Sequence, residues 1–252
     1  MRRCPLLLLL WIIATTALFA QGLAGESNLD RAVLIGLDYG PFTTAGDLGD
    51  RFGSGFALGA GVDYLPRGRN WQFGFMAQFG FGSTVKEDVL ANLRTDAGHV
   101  IGNQRQPANV QLRQRQFFVG PRLGYTLPIG DNRRAGVKLT TAAGYFFSRI
   151  RIQDDPVQYV PQLDPAYQAT YDRLSGGPAL YQFIGYQQLS RNRRLNFYLG
   201  GDATLGFTQP LRSYDALSYG PPPAGGRTDL VFGLRAGLIL PIYQGEGRDI
   251  FY

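Results

Sequence analysis

From Arg31 onward apolar residues alternate with small or polar ones at period two, the spacing of a strand with one apolar face and not of a helix. The stretch 71 to 82 shows it most fully. Trp71, Phe73, Phe75, Ala77, Phe79 and Phe81 fall on one side, and Gln72, Gly74, Met76, Gln78, Gly80 and Gly82 on the other. Val33, Ile35, Leu37 and Tyr39 repeat the pattern, as do Phe56, Leu58, Ala60, Val62 and Tyr64, and Phe117, Val119, Leu123, Tyr125 and Leu127. It returns less cleanly in 135 to 150 and 179 to 190, then clearly in 195 to 207 and 230 to 242. Together these segments predict eight strands.

The predicted connections alternate in length: 41 to 52, 83 to 113, 151 to 178 and 209 to 226 are long, whereas 66 to 70, 128 to 134 and 191 to 194 are short. Structureless loops beyond about 15 residues count against a compact soluble domain. A barrel that crosses an outer membrane has short periplasmic turns and long outer loops. An even strand number also leaves both chain ends on the short-turn side.

Alternation alone does not say which face is outside, since a soluble ligand-binding barrel alternates too. Face composition decides. The non-aromatic face carries Asp38, Asp63, Gln72, Gln78, Arg122, Lys138, Asp202 and Arg235 among Gly55, Gly59, Gly61, Gly120, Gly124, Gly200 and Gly206. An eight-stranded lumen is filled by side chains, so small residues must make room for large charged ones. The bulky face is left for lipid, where unpaired charge is costly. Tyr39, Tyr64, Trp71, Phe81, Tyr125, Tyr145, Phe197, Phe207 and Tyr243 fall near strand ends, where amphipathic rings favour a membrane interface.

The fold expected is therefore all-β, an eight-stranded antiparallel up-and-down transmembrane barrel over residues 27–252. Arg2 and Arg3 precede an apolar run, Leu6 to Ile13, which leads to small residues at Ala20 and Ala24. That order reads as a secretory signal peptide over 1–20, with 24 as the later cleavage position. Beyond residue 20 no apolar run approaches the roughly 18 residues of a spanning helix. Cys4 is the only cysteine and lies before the apolar run, so the expected mature chain carries no thiol for disulfide, zinc-thiolate or nucleophile chemistry.

In these features the chain resembles the small outer-membrane β-barrels of Gram-negative bacteria typified by the OmpX, OmpA and OmpW types. In that group the last strand ends in a polar–any–Gly–two-any–hydrophobic–any–hydrophobic pattern that the barrel-assembly machinery reads. Arg235, Gly237, Leu240 and Ile242 fit it. The chain continues to Ile250, Phe251 and Tyr252, and Gly247, Ile250 and Tyr252 partly repeat it. The resemblance implies outer-membrane localisation, with lipids of that membrane and the assembly machinery as partners. It implies no particular function.

The formal charge of +6 raises nucleic acid as a partner. The arginines answer it. Arg67 and Arg69, Arg133 and Arg134, and Arg191, Arg193 and Arg194 all fall in predicted short turns, a basic periplasmic rim suited to anionic headgroups. No nucleic acid is expected. Within the lumen Asp38, Asp63 and Asp202 stand against Arg122, Lys138 and Arg235, and a polar ladder that closes the barrel is preferred over a proton or ion relay, because buried charges must be paired.

The single histidine, His99, lies in the longest loop near Asp96 and Ser83. No serine motif joins them, so a solvent-exposed loop histidine is preferred over a catalytic base. No cofactor or metal is called for. Thr84 with Glu87 predicts a capped helix toward Leu93, and Asp164 with Pro165 a second through Tyr171 to Leu174, stopped by Gly176 and Gly177; the two could form a lid. Tyr159, Tyr167, Tyr171, Tyr214 and Tyr219 with Pro221 to Pro223 give the outer loops a composition suited to contact.

The leading expectation is a non-enzymatic barrel that presents its loops to an envelope protein. The alternative is a narrow pore or an OmpW-like route for small hydrophobic molecules, with Leu34, Met76, Phe118, Val231 and Ile239 offering an apolar lining. A lipid A-modifying enzyme comes third.

Overall fold

The structure is a computed structural model and describes residues 28–155, 157–190, 195–222 and 225–244. The expected signal peptide, the basic residues Arg191, Arg193 and Arg194, and the terminal Phe251 and Tyr252 lie outside the described residues.

Eight long strands form one closed ring: β1 (Arg31–Ala45), β2 (Gly55–Leu65), β3 (Trp71–Gly82), β6 (Gln111–Ile129), β7 (Asn132–Gln153), β8 (Ser175–Leu189), β9 (Asn196–Pro210) and β10 (Arg227–Gln244). Each pairs antiparallel with its neighbours, and β1 closes on β10 from Arg31 opposite Gln244 to Ala45 opposite Leu230. Closure leaves no free sheet edge. The tiny hairpin of β4 (Val100–Ile101) and β5 (Pro107–Ala108) sits in the loop between β3 and β6.

The alternation read from sequence is the alternation of burial. Leu37 and Leu58 face outward, exposed at 58% and 53%, while Asp38 and Ala57 beside them are buried. The interior is occupied at every level. Leu65, Leu189 and the hydrogen-bonded trio Gln72, Thr126 and Gln187 fill the end that holds Arg31 and Gln244. Phe42, Phe118 and Phe146 fill the other.

Several boundaries differ from the sequence expectation. The strands run longer, because β6 and β7 need only Gly130 and Asp131 between them, with Gly130 at φ +75° as a two-residue hairpin favours. β1 passes through Pro41 to Ala45, and its first loop is reduced to a short helix, Gly46–Arg51, with the bends around it. The helix expected from Thr84 is absent: Glu87 is drawn into ion pairs with Arg51 and Arg173, and only a 3-10 turn, Ala91–Leu93, forms. The second helix is one turn, Pro165–Gln168, and Gly176 and Gly177 belong to β8.

Candidate functional site

Three regions carry side chains beyond what a barrel wall requires: the lumen, the loop-bearing mouth and the outer wall.

In the lumen, β2 and β6 aim Asp63 and Arg122 at each other, joined Nε to Oδ1 at 2.6 Å and Nη2 to Oδ2 at 2.7 Å. Arg235 on β10 reaches both oxygens of Asp202 at 3.2 Å and the Gly40 carbonyl at 3.1 Å. Turned with its amide oxygen inward, Gln78 also accepts from Arg235 Nε at 2.9 Å and Nη2 at 3.0 Å. Asp38 lies 4.0 Å from Arg235 and accepts the Tyr198 hydroxyl at 2.7 Å.

Glycines supply the space for these groups. A Cβ on Gly59 would collide with the Asp38 carboxylate, one on Gly61 with the Arg122 guanidinium, and one on Gly233 with Asp202. Lys138 differs from the expected ladder, since it sits 5.0 Å over the Tyr198 ring instead of against a carboxylate. Leu34, Met76, Phe118, Val231 and Ile239 do face inward, but they are buried in the common core and packed with their neighbours.

The mouth is covered by a crown in which all four loops are cross-linked. Arg51 bonds Glu87 at 2.8 Å, the Arg173 carbonyl at 3.0 Å and Ser175 at 3.2 Å. Arg173 in turn pairs with Glu87 at 3.1 Å and Asp215 at 3.0 Å, and Arg212 grips Asp172 at 2.6 and 3.0 Å. Burial, followed by repulsion from Arg227, lowers the pKa of Arg51, and Glu87 offsets part of this. Leu48, Phe52, Val89, Leu90, Val160 and Leu163 give the crown an apolar core continuous with the barrel's. None of this cross-linking was foreseen from sequence, because each pair joins different loops.

A cleft of about 540 Å³ opens on the crown, lined by Tyr167, Tyr171, Tyr214 and Tyr219 with Leu93 and Pro161. Its walls are tied together: Ala216 donates to the Thr170 carbonyl at 3.0 Å and Asn92 to the Leu217 carbonyl at 3.1 Å. Asp215 accepts from Ser218 N and Oγ at 3.2 and 2.7 Å, which closes the tip that carries Tyr219. His99 lies exposed at another loop turn, where its backbone bonds Thr95. Among the described residues no group of three His, Cys, Asp or Glu side chains gathers to hold a metal ion.

No family model and no curated protein matches the chain. Among solved structures it is similar to Neisserial surface protein A, at 11% identity and a TM-score of 0.44, over 82% of this chain and 96% of that one. It is also similar to Ail, the attachment invasion locus protein of Yersinia pestis, solved with the heparin analogue sucrose octasulfate, at 12% identity and 0.40, over 84% and 99%. A mutant of the monoaromatic hydrocarbon channel TodX follows at 9% and 0.29, over 85% and 91%.

The chain's own wall decides its setting. Phe75, Leu234 and Leu238 point away from the core with 64%, 63% and 66% of their surface open, within a continuous band of apolar residues. Aromatic pairs rim both edges. Trp71 with Tyr125 lies toward the short turns at 4.7 Å between centroids; Tyr39 with Phe56 at 5.5 Å and Tyr145 with Phe147 at 4.6 Å lie toward the long loops. From Trp71 to Phe81, tilted as barrel strands are, the band is about 25 Å tall, the height of an outer-membrane apolar belt. The chain is an outer-membrane β-barrel.

Its short turns lie at the end that holds Arg31 and Gln244. Arg67, Arg69 and Arg133 are exposed there, with Arg67 3.6 Å from Asp30. Arg134 departs from the expected rim. It is 1% exposed and turns inward to donate to the Leu29 and Pro66 carbonyls at 2.8 and 3.1 Å, so it plugs the barrel floor. Tyr243 also departs from the girdle, packing against the core beside Ala32. Of the expected assembly signal, Leu240 and Ile242 face lipid, while Gly237 faces inward beneath the Tyr198 ring, where a Cβ would meet Cε1 at 2.5 Å.

Proposed function

We propose that this barrel is a non-conducting, non-enzymatic platform that presents its extracellular crown to a partner protein of the envelope. The observation that carries the reading is the tyrosine-lined cleft on loops locked together by ion pairs. Tyr167 and Tyr219 keep 59% and 75% of their surface free while their loops are held, so little ordering entropy is spent on contact. Tyrosines of this kind are frequent anchors of protein interfaces.

On this reading the lumen ladder of Asp38, Asp63, Arg122, Asp202 and Arg235, with Lys138 over the Tyr198 ring beside it, is structural, a polar plug that holds the wall rigid beneath the crown. Arg67, Arg69 and Arg133 lie against inner-leaflet headgroups. The barrel-assembly machinery reads β10 through Gly237, Leu240 and Ile242.

The test is gentle purification from native outer membranes with mass spectrometry of stoichiometric companions. A companion protein retained by the wild type and lost from Tyr167→Ser/Tyr219→Ser supports the proposal. Companion loss also depends on folding, so the variant must keep its heat-modifiable gel mobility. A wild-type barrel that purifies with no companion, or a companion indifferent to both substitutions, contradicts it.

A further inference from the structure

By sequence, much of the excess positive charge falls in the short turns. The structure gathers another set at the opposite end, on the outside of the barrel. Arg113 and Arg115 on β6 share the outward parity of Phe117, and Arg149 and Arg151 on β7 that of Phe147. The register sets Arg113 opposite Arg151 and Arg115 opposite Arg149, one step above Phe117 opposite Phe147. Directly opposed residues stand about 5 Å apart at Cβ, and like charges there repel.

Among the described residues no carboxylate forms an ion pair with any of the four. Their recorded polar contacts are Arg113 with the Gln111 side chain and Arg115 with the Gln114 carbonyl at 2.7 Å. Arg115 otherwise lies 5.9 Å over the Phe79 ring. Arg115 and Arg149 stand level in register with Phe81, the last aromatic of the apolar band, and Arg113 and Arg151 lie one register step, about 6–7 Å along the strand, beyond it, so the guanidinium groups mark the upper edge of the aromatic girdle.

Beneath them the wall is concave. A cavity of about 420 Å³ is lined by Phe79, Phe117 and Phe147 below and by Arg115, Arg149 and Arg151 above. An apolar floor continuous with the lipid belt and a fork-shaped cationic ceiling fit an amphiphile with acyl chains below and phosphate above, since guanidinium groups bind phosphate oxygens in pairs. We propose that Arg113, Arg115, Arg149 and Arg151 form a binding site for a phosphorylated glycolipid of the outer leaflet. The lipid phosphate supplies the missing counter-charge, and the three phenylalanines hold the first part of its acyl region.

The probe is bisphosphorylated lipid A added to the folded barrel in detergent, with retention read by native mass spectrometry. The wild type retains at least one lipid per barrel, and Arg115→Gln/Arg149→Gln retains at least tenfold less at equal lipid. Arg67→Gln/Arg133→Gln, at the periplasmic end, retains as much as the wild type. Dephosphorylated lipid A binds at least tenfold more weakly to the wild type, and inorganic phosphate does not compete. Equal retention by the Arg115/Arg149 variant with folded gel mobility, equal retention of the dephosphorylated lipid, or full competition by inorganic phosphate overturns the proposal. Should the double variant fail to fold, Arg151→Gln alone, at an exposed position, must lower retention or the proposal fails.

Discussion

Arg122 and Asp63 face each other across the barrel interior in a two-pronged pair, with side chains only 9% and 4% exposed. Their strands are not adjacent, since β3 lies between β2 and β6, so the pair braces the wall across a neighbour. It passes over Gly74 of β3 and faces Gly61 of β2; a side chain on either would strike it.

Removing one member leaves the other charged and buried, at a cost of about 3–5 kcal/mol. Arg122→Met is therefore expected to lower the urea midpoint of the folded barrel in detergent, and Arg122→Met/Asp63→Leu to regain most of the loss. A double variant destabilised by the sum of the two single substitutions would show that the residues act separately.

Glycine positions on the β9–β10 pair provide a contrast. A Cβ on Gly233 would run into Asp202 and lie 3.0 Å from Arg235 Nη2, whereas one on Gly201 would meet only the Gly233 carbonyl, at 3.6 Å. Gly233→Ala should destabilise by about 1–3 kcal/mol through overpacking, and Gly201→Ala should be neutral, both read from thermal gel-shift midpoints.

The crown depends on Glu87, which bridges Arg51 and Arg173, more than on the exposed Asp88–Arg94 pair. In limited proteolysis of intact cells, Glu87→Gln is expected to speed cleavage between β3 and β6 severalfold, and Asp88→Asn to change it little. The barrel melting point should hold in both.

Asp155 accepts backbone N–H groups of Asn109, Val157 and Gln158 at 2.8, 2.7 and 3.1 Å, which depress its pKa below the ordinary carboxylate value. A depressed carboxylate contributes its stability in full above the unfolded value, about 4, and loses it as pH falls through the folded one. Hydrogen exchange at these three amides should accelerate below about pH 4 beyond its intrinsic change, and Asp155→Ala should remove the dependence.

Local periodicity made the wall legible: Trp71 to Phe81 declares its outer face, and the glycines opposite declare a crowded lumen. What escaped was set by pairing between distant segments. Arg113 and Arg115 alternate like any exposed strand residues, and only the register with Arg149 and Arg151 makes them a cluster, although the Arg-x-Arg spacing in both segments was a usable signal. Arg134 looks like a turn residue until the Gly130–Asp131 hairpin places it inside the barrel floor. Thr84 and Glu87 have the spacing of a capped helix, but tertiary ion pairs outcompete the local cap.

The central claim is a closed lumen beneath a presenting crown, and planar-bilayer recording of the folded barrel tests it most directly. The account predicts a flat baseline in molar potassium chloride at either polarity, for the wild type and for Glu87→Gln, whose crown is loosened over an unchanged plug. Regular conductance steps from the wild-type barrel would contradict it.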